Sequence, residues 1–395
     1  MITFQQAYDQ VLNAATGFET ESVALENAHG RILAEAIYAD RDFPPFNRAT
    51  KDGIAIQFRE GQKTFKIQEI AAAGMPQKTL EAQESCLEIM TGAIVPENAD
   101  TVVMYEHIVL ENGEATLLQP VKQGQNIHYR GSDEPKDSLL LQPGIKITAA
   151  EIGVLASVGK AEIQVKKNPK VALFSTGDEL VPITETPALH QIRQSNAHTL
   201  KAALSALLIP STIIHVVDEK NAIKTALKEA IETYDVLVMS GGVSKGKYDF
   251  LPEVLEELGV TKYFHRVKQR PGKPFWFGKQ EEKATTIFGF PGNPTSTFAN
   301  FHVYFIPWLY KNWGLPTPEI QVFLEEDFEN TTPLTRFIRA KTTIIDGQLS
   351  ASLVYGNGSG DLTSLTMANG FVRVAPNEIK KQGEIIPFIP ARTLL

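Results

Sequence analysis

The sequence predicts a multidomain α/β plus β protein: a central, mostly parallel α/β domain, an inserted small β domain, a helix-containing N-terminal domain and a C-terminal β domain. Three features carry that reading. From Lys170 onward, continuous apolar runs alternate with helical patterns, the texture of a parallel sheet covered on both faces. On either side, from about Asp40 to Asp133 and after Pro316, the apolar segments are short and separated by turn residues. The 395 residues also exceed what one domain of ~150 residues holds.

The first element is a helix. Thr3 and Gln6 have capping-box spacing, and Phe4, Ala7, Tyr8, Val11 and Leu12 recur at helical intervals. Asp42-Phe43-Pro44-Pro45-Phe46 cannot be helical, because two prolines remove donors and fix φ. Short β segments follow at Phe65–Ile70, Cys86–Met90, Thr101–Ile108 and Ala115–Leu118, with Asn112-Gly113 as a hairpin turn between the last two. Thr148 and Glu151 form a second capping box, and Gly159 suits the C-terminus of that helix. Residues 1–40 and 136–168 read as two halves of one interrupted domain, with 41–135 as the inserted β domain.

Residues 169–315 form the α/β domain. Its strands are Val171–Phe174, Ile213–Val217, Val236–Met239 and Thr286–Phe288. Helical patterns follow, the first with Asn196 as its candidate cap and the third running through Phe250, Leu251, Val254, Leu255 and Leu258. Each strand ends in a polar or glycine-rich turn, where open α/β sheets bind ligands. Residues 316–395 return to β, with Asp346-Gly347 as a hairpin turn and further strands at Phe371–Val374 and Glu384–Ile389.

The net charge of −8 disfavours a general nucleic-acid binder. The single cysteine, Cys86, excludes an intrachain disulfide framework and any multi-cysteine zinc site. No apolar run reaches the ~18 residues of a membrane span, and the N-terminus lacks the order of a secretory signal. The expectation is a soluble cytoplasmic protein that engages neither nucleic acid nor membrane.

The strand ends collect Thr176, Gly177, Asp178, Glu179, Asp218, Ser240, Gly241, Gly242, Ser244, Asp249, Pro291, Gly292, Asn293 and Pro294. Carboxylates at several strand ends can share one hard divalent cation, and glycine turns leave backbone N–H groups free for phosphate. Taken singly, Asp249 reads equally well as an N-cap and Gly241-Gly242 as a tight turn. Lys262, Arg266, Lys268, Arg270 and Lys273 form a run without Asp or Glu, read as a local anion trap in preference to a lysine-protected edge strand. The inserted domain offers Asp52, Thr91, Arg130 and Asp133, which spacing alone makes nothing more than turns. Gly356-Asn357-Gly358-Ser359-Gly360 lies in the β-rich tail and does not open a Rossmann helix, so it is no dinucleotide fingerprint.

In order along the chain, Pro44-Pro45-Phe46-Asn47-Arg48-Ala49-Thr50-Lys51-Asp52-Gly53, Ile89-Met90-Thr91-Gly92-Ala93, Gln125-Asn126-Ile127, Phe174-Ser175-Thr176-Gly177-Asp178-Glu179-Leu180, Ser240-Gly241-Gly242-Val243-Ser244, Pro271-Gly272-Lys273-Pro274-Phe275 and Gly289-Phe290-Pro291-Gly292-Asn293-Pro294 together resemble the molybdopterin molybdenumtransferase (MoeA) family, related to the C-terminal domain of gephyrin. The resemblance implies insertion of molybdenum from molybdate into adenylylated molybdopterin with release of AMP, and a requirement for Mg²⁺. It implies a catalytic set of Asp52, Thr91, Glu179, Asp218, Asp249, Arg270 and Lys273, and a metal set of Asp178, Glu179, Asp218 and Asp249. Thr176, Gly177, Ser240, Gly241, Gly242, Ser244, Pro291, Gly292, Asn293, Pro294, Arg130 and Asp133 would hold the pterin substrate. It further implies a homodimer whose site lies between the α/β domain of one subunit and the inserted domain of the other. The adenylyltransferase that makes the substrate is a candidate partner. Tungstate, a tetrahedral dianion of nearly the same size as molybdate, is not separable from it by sequence chemistry.

Overall fold

Six strands form the central sheet of the computed structural model, which describes residues 1–243, 250–317 and 319–392. They are β1 (Val171–Thr176), β2 (Ser211–Val216), β3 (Val236–Ser240), β4 (Thr261–His265), β5 (Trp276–Gln280) and β6 (Thr285–Phe290), in spatial order β2-β1-β3-β6-β5-β4. The first four in that order run parallel, and β5 and β4 complete the sheet antiparallel. All residues of β1, β3 and β6 are buried, as continuous apolar runs require when both faces are covered. Their side chains alternate between two cores. Val171, Leu173, Val236, Val238, Phe288 and Phe290 face one, and Ala172, Phe174, Leu237, Met239 and Ile287 face the other.

From β1 the chain crosses by the helix Asn196–Ala206 to β2. It then returns by the helix Lys220–Thr233 to β3 on the opposite side of β1. The ends of β1 and β3 are therefore a topological switch point, where the two connections diverge and leave a crevice. After β6 a helical stretch runs from Pro294 to Trp313, with a π turn over Phe301–Phe305.

The N-terminal helix Phe4–Asn13 has its capping box, as the Thr3/Gln6 spacing predicts. Its buried face of Phe4, Ala7 and Val11 joins the core of the central domain, with Phe4 5.3 Å from Phe337 and 6.0 Å from Tyr304. Strand Thr20–Ala24 pairs antiparallel with Glu162–Lys166, so chain from both sides of the insert shares one core of Leu33, Ile37, Ile147, Leu155, Ile163 and Val165. The helix Ala149–Ser157 carries the Thr148/Glu151 capping box, and Gly159 has a φ of +73° just beyond it.

The segment between these halves is a six-stranded sheet. Asn112 and Gly113 have φ of 52° and 78° in the hairpin joining Ile108–Glu111 to Glu114–Leu117. The segment Thr101–Ile108 is not one strand. Thr101–Met104 ends in a 3₁₀ turn at Tyr105–His107, where Tyr105 donates to Glu88 at 2.8 Å. The sequence reading missed the buried strand Gly53–Ile56, because four residues carry no visible period. A Cβ at Gly53 would lie 1.9 Å from the Val103 carbonyl oxygen, so the apparent turn glycine is what allows two backbones to meet. Cys86 lies buried in this sheet, and desolvation pushes its thiol up to about 12, which suits an inert core residue.

Beyond Pro316, strands Ile320–Leu324, Thr335–Ile345, Gln348–Leu353, Gly370–Val374 and Ile385–Pro390 close into a barrel, each paired on both sides. Residues Gln269–Arg270 add to it in parallel, opposite Thr335–Arg336. That pairing joins the barrel to the central domain. No helix among the described residues is long and apolar enough to cross a membrane.

One buried group makes the core sensitive to acid. His302 sits in the π turn against Phe298 and Phe301, and desolvation lowers its pKa to about 3. In the unfolded chain it titrates near 6.5. Its stabilising contribution is complete above that value and is lost as pH falls toward 3, because only the unfolded state binds the proton in that window. We expect the stability of wild type relative to His302→Phe to fall by up to about 1.4 kcal/mol per pH unit below 6.5. Parallel chemical denaturation between pH 4 and 7 measures this, and parallel pH curves would refute it.

Candidate functional site

A cleft of about 830 Å³ opens at the switch point. Its floor is the end of β1 with Ser175 and Thr176 and the end of β3 with Ser240, Gly241 and Gly242. Both strands stop here because Gly177 and Gly241-Gly242 take positive φ, which an extended strand cannot continue. One wall is Pro291-Gly292-Asn293-Pro294 and the helix it opens, and another is the turn Arg270-Pro271-Gly272-Lys273. The remaining wall comes from the barrel: Arg336, Arg339, Tyr355 and the loop 356–360.

Hydrogen bonds fix these walls to one another. Asn196 Nδ2 donates to Ser240 Oγ at 2.8 Å and to the Gly292 carbonyl at 2.6 Å. Asn196 is therefore not the cap proposed for its helix. Ser195 holds the N-cap position, and the Asn196 amide clamps the β3 end to the Pro-Gly-Asn-Pro loop. Asn293 Nδ2 donates to Ser359 Oγ at 2.9 Å, and Thr295 N donates to the Ser359 carbonyl at 3.1 Å. The hydroxyls of Ser175 and Thr176 are buried without a partner among the described residues.

The cleft is cationic. Among the described residues, Arg193, Arg270, Lys273, Arg336 and Arg339 line it, against one carboxylate, Glu179. Arg339 feels the nearby Asp361 carboxylate, but among the described residues Arg193, Arg270, Lys273 and Arg336 take part in none of the ion pairs. Arg270 and Arg336 stand opposite each other in the parallel pairing. Burial, and then the Arg270 charge, lower the pKa of Arg336. Two adjacent guanidiniums with no counter-ion among the described residues form a site for an anion.

The basic run thus divides. Arg270 and Lys273 line the cleft, whereas Lys262 lies on the exposed edge strand β4, where lysine protects the sheet edge. Of the strand-end set, Thr176, Glu179, Ser240, Gly241, Gly242, Pro291, Gly292, Asn293 and Pro294 are in the cleft, with Gly177 just beyond β1. Asp178 and Asp218 meet at the neighbouring ends of β1 and β2, where Asp178 Oδ1 accepts from Asp218 N at 3.2 Å, but they do not line the cleft. Among the described residues no group of three or more acidic, His or Cys side chains could hold a metal ion, so Asp178, Glu179 and Asp218 do not make a cage without the fourth expected ligand. Ser244 and Asp249 lie outside the described residues.

The insert's candidates are elsewhere. Asp52, Thr91, Arg130 and Asp133 do not line the cleft of their own chain. Asp52 Oδ1 accepts from Thr91 N at 2.6 Å, and the Thr91 backbone and then its side chain hold the Asp52 carboxyl below its ordinary pKa. Arg130 pairs with Asp42, and His128 lies between Arg48 and Asp133, with Nε2 2.7 Å from Asp133 Oδ1.

Sequence reasoning missed Asn196 as a clamp, and Arg336, Arg339 and the 356–360 loop as walls. The glycine density of that loop was the only available signal.

Comparisons with known proteins cover nearly the whole chain. Residues 2–159 match the MoeA N-terminal region (domain I and II), 172–311 a probable molybdopterin binding domain, and 321–391 the MoeA C-terminal region (domain IV). A molybdopterin molybdenumtransferase of Synechocystis sp. is 35% identical over 396 residues, covering 98% of this chain and 99% of its own length. One from Bacillus subtilis is 35% identical over 388 residues, covering 94% and 89%. The crystal structure of a molybdopterin biosynthesis MoeA protein from Pyrococcus horikosii matches with a TM-score of 0.84 and 30% identity, over 99% of each chain.

Proposed function

We propose a reaction for this cleft on one premise: the chain belongs to the MoeA family, whose N-terminal, molybdopterin-binding and C-terminal regions it carries in order. It is a molybdenum-inserting transferase of molybdenum cofactor biosynthesis. Molybdenum passes from molybdate into adenylylated molybdopterin, and AMP is released. The observation that carries the reading is the cationic cleft at the switch point, with Arg193, Arg270, Lys273 and Arg336 lacking acidic partners among the described residues.

The substrates explain that charge. Adenylylated molybdopterin carries a pyrophosphate and molybdate is a dianion, so bringing them together requires cations on both sides. Arg270 and Arg336 stand opposite each other, Lys273 follows in the same turn as Arg270, and all three line the cleft and suit a tetrahedral oxyanion. Gly241-Gly242, Ser240 and the buried Thr176 hydroxyl form the floor and suit a phosphate or the pterin. Asn196 ties the floor at Ser240 to the Pro291-Gly292-Asn293-Pro294 loop, and Asn293 ties that loop to Ser359 of the barrel, which pre-organises the cleft.

A divalent ion fits this site only as one shared with substrate. Mg²⁺ needs one or two carboxylates when phosphate supplies the remaining ligands; Glu179 lines the cleft, and Asp178 adjoins it in sequence. Once bound, it would polarise the phosphoanhydride.

Asp52, Thr91, Arg130 and Asp133 then act on a neighbouring cleft: the protein works as a cytoplasmic homodimer in which the insert of one subunit covers the site of the other. What supports this is their absence from their own cleft. Mixing Asp52→Ala with Arg270→Ala protein tests it. Each variant alone is inactive, and random re-pairing restores about a quarter of wild-type activity, since half the dimers regain one intact site of two. No recovery after verified subunit exchange would exclude the shared site.

The reaction itself is tested by AMP release from adenylylated molybdopterin with Mg²⁺, with and without molybdate. Molybdate-dependent release with metal retained on the pterin is the expected result. Binding without release would show a carrier, and a tungstate arm decides between the two oxyanions.

A further inference from the structure

The Arg270–Lys273 turn rests on a polar triad buried in an otherwise apolar core. Gln269, Asn300 and Tyr304 are all fully buried, among Phe4, Phe275, Phe290 and Phe337. Tyr304 donates its hydroxyl to Gln269 Oε1. Gln269 Nε2 donates to Asn300 Oδ1 at 2.8 Å and to the Pro271 carbonyl at 3.0 Å. Asn300 Nδ2 donates to the Gly272 carbonyl at 3.3 Å. Asn300 and Tyr304 lie one turn apart on the helical stretch that begins at Pro294, with the π turn starting directly after Asn300.

Burying two amides and a phenol is costly unless each is bonded, and an apolar trio would fill the space without that requirement. These groups spend their outward donors on consecutive carbonyls of one turn. The geometry points to a positioning role: Gln269, Asn300 and Tyr304 hold the Arg270–Lys273 turn, and so fix the cations with which the cleft captures its oxyanion. This rests on the assignment of those cations to molybdate. The same helical stretch carries Asn293 and Pro294 at its start, so the triad ties the oxyanion wall to the substrate wall through one rigid element. Misplacing a catalytic group by about 1 Å can cost up to 10²-fold, so a small shift of the turn is readable.

The test measures sodium molybdate and AMP binding by calorimetry, with melting temperatures, on the full chain. Gln269→Met removes all three of the Gln269 bonds and should weaken molybdate binding about tenfold. Tyr304→Phe removes one hydroxyl in a nearly unchanged volume and should weaken it about threefold. AMP affinity should be unchanged in both. In turnover, KM for molybdate should rise at constant kcat. If the variants melt lower but bind molybdate like wild type, the triad is merely structural and the inference is overturned. Should Gln269→Met fail to fold, Tyr304→Phe decides by the same criterion. If wild type binds no molybdate, or Arg270→Ala binds it unchanged, it is the oxyanion assignment of the cleft that fails.

Discussion

Replacing Arg336 by methionine is expected to lower the kcat/KM for molybdate by about 10- to 100-fold while leaving the free protein at least as stable as wild type. The two effects share one cause. Arg336 faces Arg270 across the pairing that joins barrel and central domain, and its Nε is buried without a partner among the described residues. Holding two guanidiniums together with no counter-ion among the described residues opposes folding, and a bound dianion relieves that repulsion. Each charge-assisted hydrogen bond to the ligand is worth about 1.5–3 kcal/mol, which sets the expected loss in rate. Methionine keeps an apolar stem beside Phe328, whose ring centroid lies 5.9 Å from the Arg336 guanidinium carbon, so packing is largely preserved. The measurements are molybdate-dependent AMP release and the melting temperature of the free protein. A lower melting temperature at unchanged KM would instead make Arg336 a strut between domains.

Gly242→Val should be the most damaging single change in the floor of the cleft. Gly242 has a φ of +67°, which costs a β-branched residue about 1–3 kcal/mol. Its Cβ would lie 2.4 Å from Leu251 Cδ1 and 2.8 Å from Thr176 Oγ1, so the helix start and the β1 end must move apart at about 1–3 kcal/mol more. Since Leu251 is itself buried in the core, the strain passes into the central domain. The expected result is a melting transition lowered by several degrees, with adenylylated molybdopterin binding lost at temperatures where the fold survives. Gly241→Ala provides the contrast, because its nearest neighbour is the Thr176 carbonyl at 3.1 Å and the clash is smaller. Equal melting temperatures for Gly242→Val and wild type would show that the turn can reshape, and that this glycine is not what holds the floor.

Gly242 was legible because strand and turn are local. An apolar run such as Val236–Met239 has to be a buried strand, and the glycines after it have to end it. The same holds for the capping boxes at Thr3/Gln6 and Thr148/Glu151, and for the Asn112-Gly113 and Asp346-Gly347 hairpins, each of which is satisfied within a few residues of itself. Arg270 and Lys273 were legible because a local run of charge stands out in an acidic chain.

Arg336 was not, because nothing near it in sequence sets it apart. What brings it to Arg270 is a parallel register between segments 66 positions apart, possible only once the barrel has closed. The loop 356–360 has the composition of a tight turn, and only its bonds to Asn293 and Thr295 make it a wall. Asn196 reads as a helix cap from its neighbours, but its amide is claimed by Ser240 and Gly292, from two other strand ends. The sequence by itself determined the four parallel strands of the central sheet, the two capping boxes, the hairpin turns and the chemical character of the strand ends, since these follow from periodicity and backbone constraints within a dozen residues. The tertiary structure alone decided which cations share the cleft, which amides clamp its walls and which candidates lie outside it, because those depend on register and closure between parts of the chain that meet only after folding.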